Sequence, residues 1–361
     1  METTQIYPEP DSGAGWSYLT SVRDTDIRAG MNRAKLDQLF ELQDFLFGGQ
    51  NQATVIIRKG EIVCEHASFM GLATSRFDIW SGTKSLTGSA WGMLIDDSRN
   101  GKLPGRLQID LDTRAYQFLP ESTPLSDTRK NEITIGQLLS MTSGIKGEDH
   151  GLYGVPTAAG TGPFEHALGF GDNRYGRSAA LLATNPGSGW DYSDPAFAHL
   201  SLLFSRIAGI EMNTYLQERL FEPIGVEHAS FSVLGGAGFM GPHTCGHVGL
   251  IISARDLARF GLLVCRNGRW KDEQIIPRWW CELATRSSQP FNPEYGYSWW
   301  VNTTQTRWPA LPADAFALQG HNTNCCYVIP SLDLVVVKIG SGPTRWNEGD
   351  FITGVIECIL E

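Results

Sequence analysis

Two serine–lysine pairs in this chain carry the spacing of a nucleophile and its partner: Ser81/Lys84 in "WSGTKS" and Ser143/Lys146 in "TSGIKGED". A serine hydroxyl attacks a carbonyl only with a proton acceptor beside it and donors ready for the oxyanion. A lysine held out of water can take the acceptor's part, because desolvation lowers its pKa. Ser-x-x-Lys is a short pattern that also arises by chance, so its surroundings must separate the two copies. Gly144 and Gly147 around the second copy favour a turn, which leaves Lys146 without fixed geometry. The first copy stands where a buried strand-like run gives way to helical spacing, with Leu86, Ala90, Met93 and Leu94 on one face. At a helix start Lys84 is held on the face of Ser81, and free amide N–H groups favour developing negative charge.

The elements that must position this pair follow from periodicity. Residues 32–47 read as a helix stopped by Gly48 and Gly49, and "ATVIIRKGEIVCEHA" (53–67) reads as a hairpin turning at Lys59-Gly60. Thr134 and Gln137 make a capping box, and Asp194-Pro195 is expected to cap a helix bearing Phe197, Leu200, Leu203, Phe204 and Ile207. Strands return in "GYSWWV", "CCYVIP" and "LVVVKIG", before a last helix with Phe351, Val355, Ile356 and Ile359. Strands at both ends with helices between predict one antiparallel sheet shared by residues 1–80 and 291–361. Residues 81–290 are then a mostly helical region, and the active site lies at the interface of the two.

Composition narrows the partners. A formal net charge of −10 and a pI near 5.3, with no run of basic residues, argue against nucleic acid and anionic membranes. Seven cysteines without framework spacing, no signal-like start and no membrane-length apolar run point to reduced thiols and a cytoplasmic location.

Several segments in order resemble the serine β-lactamase and penicillin-binding superfamily, in its class C-like branch of esterases, amidases and D-amino-acid peptidases. They are "WSGTKS", "ITIGQLLSMTSGI" (133–145), "PGSGWDYSDPAFAHLSLLFSRIAG" (186–209), "GLIISARDLARFGLLVCRNGRW" (249–270) and "GHNTNCCYVIPSLDLVVVKI" (320–339). The resemblance spans about residues 35–340. It implies a five-stranded antiparallel sheet flanked by helices, an all-helical inserted region and an active site between them. It also assigns roles. Ser81 forms the acyl-enzyme, Lys84 and Tyr192 share acid–base work, and the amides of Ser81 and Asn324 form the oxyanion hole. His321, Asn322 and Thr323 make the third motif.

This sequence departs from the family at two points. The second motif usually ends in asparagine, whereas Tyr192-Ser193-Asp194 ends in a carboxylate that would favour a protonated Lys84, shifting the base role towards Tyr192, and could also pair with a substrate ammonium. The third motif often opens with lysine and ends in glycine. His321 is a weaker partner for a substrate carboxylate, so β-lactam hydrolysis is expected to be slow or absent. Among the aromatics before the third motif (Tyr295, Tyr297, Trp299, Trp300, Trp308, Phe316), strand alternation allows one or two to line an acyl pocket, with Trp299 the choice. Tyr153 and Phe164 are candidates for its rim.

Other motifs are set aside. "GAGFMG" (236–241) meets Pro242 where a dinucleotide-binding helix would open, and "HTCGH" (243–247) lacks a second ligand pair for zinc. Neither metal nor cofactor is expected. No GxSxG elbow is present. The reading is an intracellular serine hydrolase cleaving an amide or ester of a small molecule. Its rivals are an acyltransferase using the same serine and a non-catalytic binding or sensor protein.

Overall fold

Lys59 and Gly60 take φ values of 54° and 84°, so the chain reverses in two residues. This turn joins strand β1 (Gln52–Arg58) to β2 (Glu61–Ser68) as the spacing predicts. A computed structural model describes residues 5–47, 51–68, 72–147, 163–169, 182–235, 240–342 and 346–360. Three short strands, β3 (Arg76–Asp78), β4 (Ala229–Phe231) and β5 (Leu250–Ser253), form a small sheet of their own, with β5 in the middle. Four further strands then join β1 and β2: β6 (Trp300–Val301), β7 (Phe316–Gly320), β8 (Asn324–Ile329) and β9 (Leu334–Gly340). The main sheet is antiparallel, in the order β6-β7-β8-β9-β1-β2.

The sheet therefore has six strands, where five were expected. The extra one is β7, "FALQG", too short and too mixed to announce itself. Only the last two residues of "GYSWWV" are strand. The inserted region is not purely helical either, since it contributes β4 and β5.

Period-2 alternation splits the sheet's side chains between two apolar clusters. Val55, Ile57, Cys326, Val335 and Val337 face one core, and Ile56, Cys325, Tyr327 and Val336 face the other. Adjacent Cys325 and Cys326 thus serve opposite faces. Phe351, Ile352 and Val355 of the last helix (Glu348–Glu357) close the second core.

The helix after Ser81 (Thr83–Arg99) is buried along almost its whole length, which explains its small residues. A Cβ at Gly92 would lie 2.1 Å from the Trp280 ring, so glycine is what lets the indole pack on the backbone. Its buried hydroxyls are satisfied: Ser85 donates to the Ser298 carbonyl (2.6 Å) and Thr87 to that of Gly246 (2.6 Å). The capping box at Thr134 and Gln137 is formed. All seven cysteines are buried, and none is in a disulfide.

Candidate active site

Trp80 sits at φ 50°, a conformation a bulky side chain adopts only when its surroundings impose it. Its amide donates to Asp78 Oδ1 (2.7 Å). A single 3₁₀ turn (Trp80–Gly82) then delivers Ser81, half-buried, to the start of the Thr83–Arg99 helix. Lys84 follows one turn later, 1% exposed.

Three oxygens surround the Lys84 ammonium. Nζ lies 2.9 Å from Ser81 Oγ, 3.0 Å from the His247 carbonyl and 2.6 Å from Asp194 Oδ1. The Tyr192 ring centroid stands 4.8 Å away. Burial pulls the lysine pKa down, but the charge of Asp194 and the Tyr192 oxygen more than offset it, and the net shift is upward. Tyr192 is also shifted up. Burial raises it, and the opposing Lys84 charge only partly compensates. At neutral pH the resting site holds an ammonium–carboxylate pair and a neutral phenol.

Asp194 meets Lys84 from the first helical position, not from the helix cap. Ser193 caps the helix Asp194–Ala208, its Oγ accepting from the Ala196 amide (3.2 Å), and Asp194 occupies the first helical position. The Tyr192 segment is pinned from its other side: Asp191 donates its amide to the Met141 carbonyl (3.0 Å) and accepts from the Gly147 amide (2.8 Å). His247 supplies Lys84 with a backbone carbonyl, for which no side-chain pattern exists to find it. Its own imidazole is buried, with a pKa depressed to about 4, chiefly by desolvation. His243 of the same segment is held by Glu211 (2.9 Å) and the Met240 carbonyl (3.0 Å). Among the described residues no group of three His, Cys, Asp or Glu could hold a metal.

The third motif forms the turn between β7 and β8. A Cβ at Gly320 would lie 1.9 Å from the Ile79 carbonyl oxygen, so a residue without a side chain lets β7 abut the turn that carries Ser81. Beyond the turn, Asn324 opens β8. Its side-chain amide donates to the carbonyls of Asp78 (3.3 Å) and His321 (2.5 Å), and its Oδ1 accepts from the Gly340 amide (2.8 Å). His321 and Asn322 are exposed, the imidazole 5.5 Å from the Trp80 ring. The Thr323 hydroxyl is engaged by Lys338 Nζ (2.6 Å) and donates to the Asn322 carbonyl.

Trp299 is not a wall of the site. It is 1% exposed and packs between Phe260 (5.8 Å) and Phe316 (5.2 Å) in the core. Its neighbour Trp300 stacks on Tyr192, with centroids 5.9 Å apart and planes at 12°. Trp190 and Tyr295 complete an aromatic wall there, and Arg307 lies 4.0 Å over Trp300. The alternation rule was sound, but its phase could not be set from the sequence because "GYSWWV" is mostly irregular. Phe164 is fully buried against His243, and Tyr153 lies outside the described residues.

A serine within hydrogen-bond reach of a buried lysine one helical turn on is an arrangement a serine hydrolase can use, and this protein is a serine hydrolase. The family model for Beta-lactamase matches residues 52–348, and the chain belongs to that family. A curated relative, 6-aminohexanoate-dimer hydrolase of Paenarthrobacter ureafaciens, is 24% identical over 319 residues, covering 81% of this chain and 72% of its own. A putative 6-aminohexanoate-dimer hydrolase from Bacillus anthracis superposes with a TM-score of 0.68 at 22% identity, covering 98% of this chain and 87% of its own. EstCE1, described as a hydrolase with promiscuous acyltransferase activity, has a TM-score of 0.68 at 15% identity, covering 94% and 100%.

Proposed function

We propose that this protein hydrolyses an amide or ester bond of a small molecule through an acyl-enzyme on Ser81. The observation that carries the reading is Lys84 Nζ poised between Ser81 Oγ (2.9 Å) and Asp194 Oδ1 (2.6 Å), out of water. With Lys84 charged and Tyr192 neutral, neither is a free base at rest. The serine proton therefore passes to Nζ as an Nζ–H proton passes to Asp194. The Oγ–C bond forms, and the carbonyl π electrons become the oxyanion, received by the amides of Ser81 and Asn324. On collapse the C–N or C–O bond breaks and the proton returns from Asp194 through Lys84 Nζ to the leaving group; where the Tyr192 phenol delivers it instead, the phenolate takes a proton from Lys84 as Lys84 recovers one from Asp194. Water then repeats the sequence on the acyl-enzyme.

The names of the relatives support an amide substrate. Since the Asp194 charge is committed to Lys84, recognition of the substrate falls to the aromatic wall of Trp190, Tyr192 and Trp300 rather than to an ion pair with Asp194. His321 in place of a lysine supports slow or absent β-lactam hydrolysis. An intracellular place of action belongs to this reading, and seven buried cysteines without a disulfide support it. No helix among the described residues is long and apolar enough to cross a membrane.

The test is exposure to a fluorophosphonate, followed by intact mass and peptide mapping. One adduct on Ser81 is expected. No adduct, or equal labelling of Ser143, overturns the reading. Transfer to an alcohol or amine instead of water is the second reading, favoured by the acyltransferase activity in the name of EstCE1. Product analysis with added nucleophiles separates the two.

A further inference from the structure

The turn that delivers Asn324 is built from residues that resist its shape. Asn322 and Thr323 have φ values of 62° and 60°. Asparagine tolerates the left-handed region, but a β-branched threonine is a genuine outlier there. Some contact must hold it.

Lys338 makes that contact from the neighbouring strand. It lies on β9 opposite Cys325, and its side chain is fully buried. Its ammonium donates to Thr323 Oγ1 (2.6 Å), to the Asn322 carbonyl (3.1 Å) and to the Ser341 carbonyl (2.9 Å), and it faces the Trp346 ring at 5.2 Å. Two of these acceptors belong to the two left-handed residues. The third ties the turn to the segment after β9. That segment comes so close that a Cβ at Gly342 would lie 2.2 Å from Thr323 Oγ1.

We propose that Lys338 is a positioning residue for the oxyanion hole: it latches the strained Asn322–Thr323 turn and so fixes where the Asn324 amide points. The latch works at a distance from the acyl group, because Lys338 lies under the turn and touches no reacting atom. Where the third motif often ends in glycine, this chain has threonine and supplies its hydroxyl with a buried cation. The inference rests on the assignment of Asn324 as an oxyanion donor.

The experiment measures the second-order rate of Ser81 labelling by a fluorophosphonate in wild type, Lys338→Met, Thr323→Val, Thr323→Gly and the double variant Lys338→Met/Thr323→Gly. Lys338→Met keeps the length of the side chain but loses the donor, and labelling is expected to slow by about 10- to 100-fold. Thr323→Val sits at a partly exposed position and tests the same bond without emptying a buried site. A slowing of about fivefold or more is expected. Glycine accepts a φ of 60° without help, so Thr323→Gly is expected to label faster than Thr323→Val. In the Lys338→Met background it is expected to recover most of the lost rate. A lysine that served only to stabilise the fold would show no such rescue. Lys338→Met and Thr323→Val both labelling at the wild-type rate, or folded Lys338→Met that glycine fails to rescue, overturns the latch. A wild-type protein that does not label at all overturns the hydrolase reading instead.

Discussion

The two Ser-x-x-Lys segments of this chain are equal as strings and opposite as structures. In the first, a helix begins after Ser81 and buries Lys84 between a carboxylate, a backbone carbonyl and the serine. In the second, Gly144 at φ 78° turns the chain, Ser143 Oγ accepts from the Ile145 amide, and Lys146 is exposed. The second segment is nevertheless not idle. The Met141 carbonyl and the Gly147 amide bracket Asp191, and the Lys146 carbonyl accepts from Ser193, so this stretch is a splint for Tyr192 and Asp194. Burial and partners set the two segments apart; their shared spacing does not.

Exchanging the equivalent residues sharpens the contrast. Ser81→Ala is expected to lower turnover by roughly ten-thousand-fold, as loss of a nucleophile does. Ser143→Ala should stay within about threefold in the same assay. If Ser143→Ala matched Ser81→Ala, the contrast would collapse. Lys84→Met is expected to cost about a thousandfold in kcat and, by stranding Asp194, about 3 kcal/mol of stability in denaturant unfolding. Lys146→Met should leave both quantities near wild type.

Asp194→Asn tests the relay more finely. Without the carboxylate Lys84 loses the charge that raises its pKa. At neutral pH kcat/KM should fall by about 10- to 100-fold. The profile should gain a limb that climbs with pH as the lysine deprotonates. A flat profile at wild-type rate would assign the base elsewhere.

The smallest effect concerns two buried histidines. His247 and His199 have pKa values depressed to about 4 and about 3, chiefly by burial, against 6.5 when exposed. For such groups the unfolded chain binds more protons, so their contribution is full above pH 6.5 and is lost as pH falls toward the folded values. Each histidine should remove about 1 kcal/mol between pH 6.5 and 5.5. His199→Gln should flatten the Tm curve over that window.

Much of the fold was legible because it rests on local rules. The Lys59-Gly60 hairpin, the capping box at Thr134 and the alternating faces of Cys325 and Cys326 follow from turn chemistry and periodicity. What escaped depends on tertiary context. Strand β7 is five residues whose identity comes from the neighbours it pairs with. Trp299 and Trp300 differ only in phase, which an irregular approach cannot transmit. Asp194 read as a cap because Asp-Pro is a good one, yet Ser193 beside it took that place, and the Asp194 carboxylate meets Lys84. The Lys338 latch joins residues 15 apart across a sheet, and no short motif spans them.

The pairing of β1 with β9 has a consequence for synthesis. Thr54 lies opposite Lys338, about 280 residues further along. At roughly 5–20 residues per second, the ribosome needs on the order of 15–60 s to deliver the partner strand. Throughout that interval an edge carrying Val55, Ile56 and Ile57 waits in an unfinished chain. Nascent chains stalled before residue 334 should therefore stay open to protease and hold a chaperone at residues 52–58, and release it only once β9 has cleared the exit tunnel.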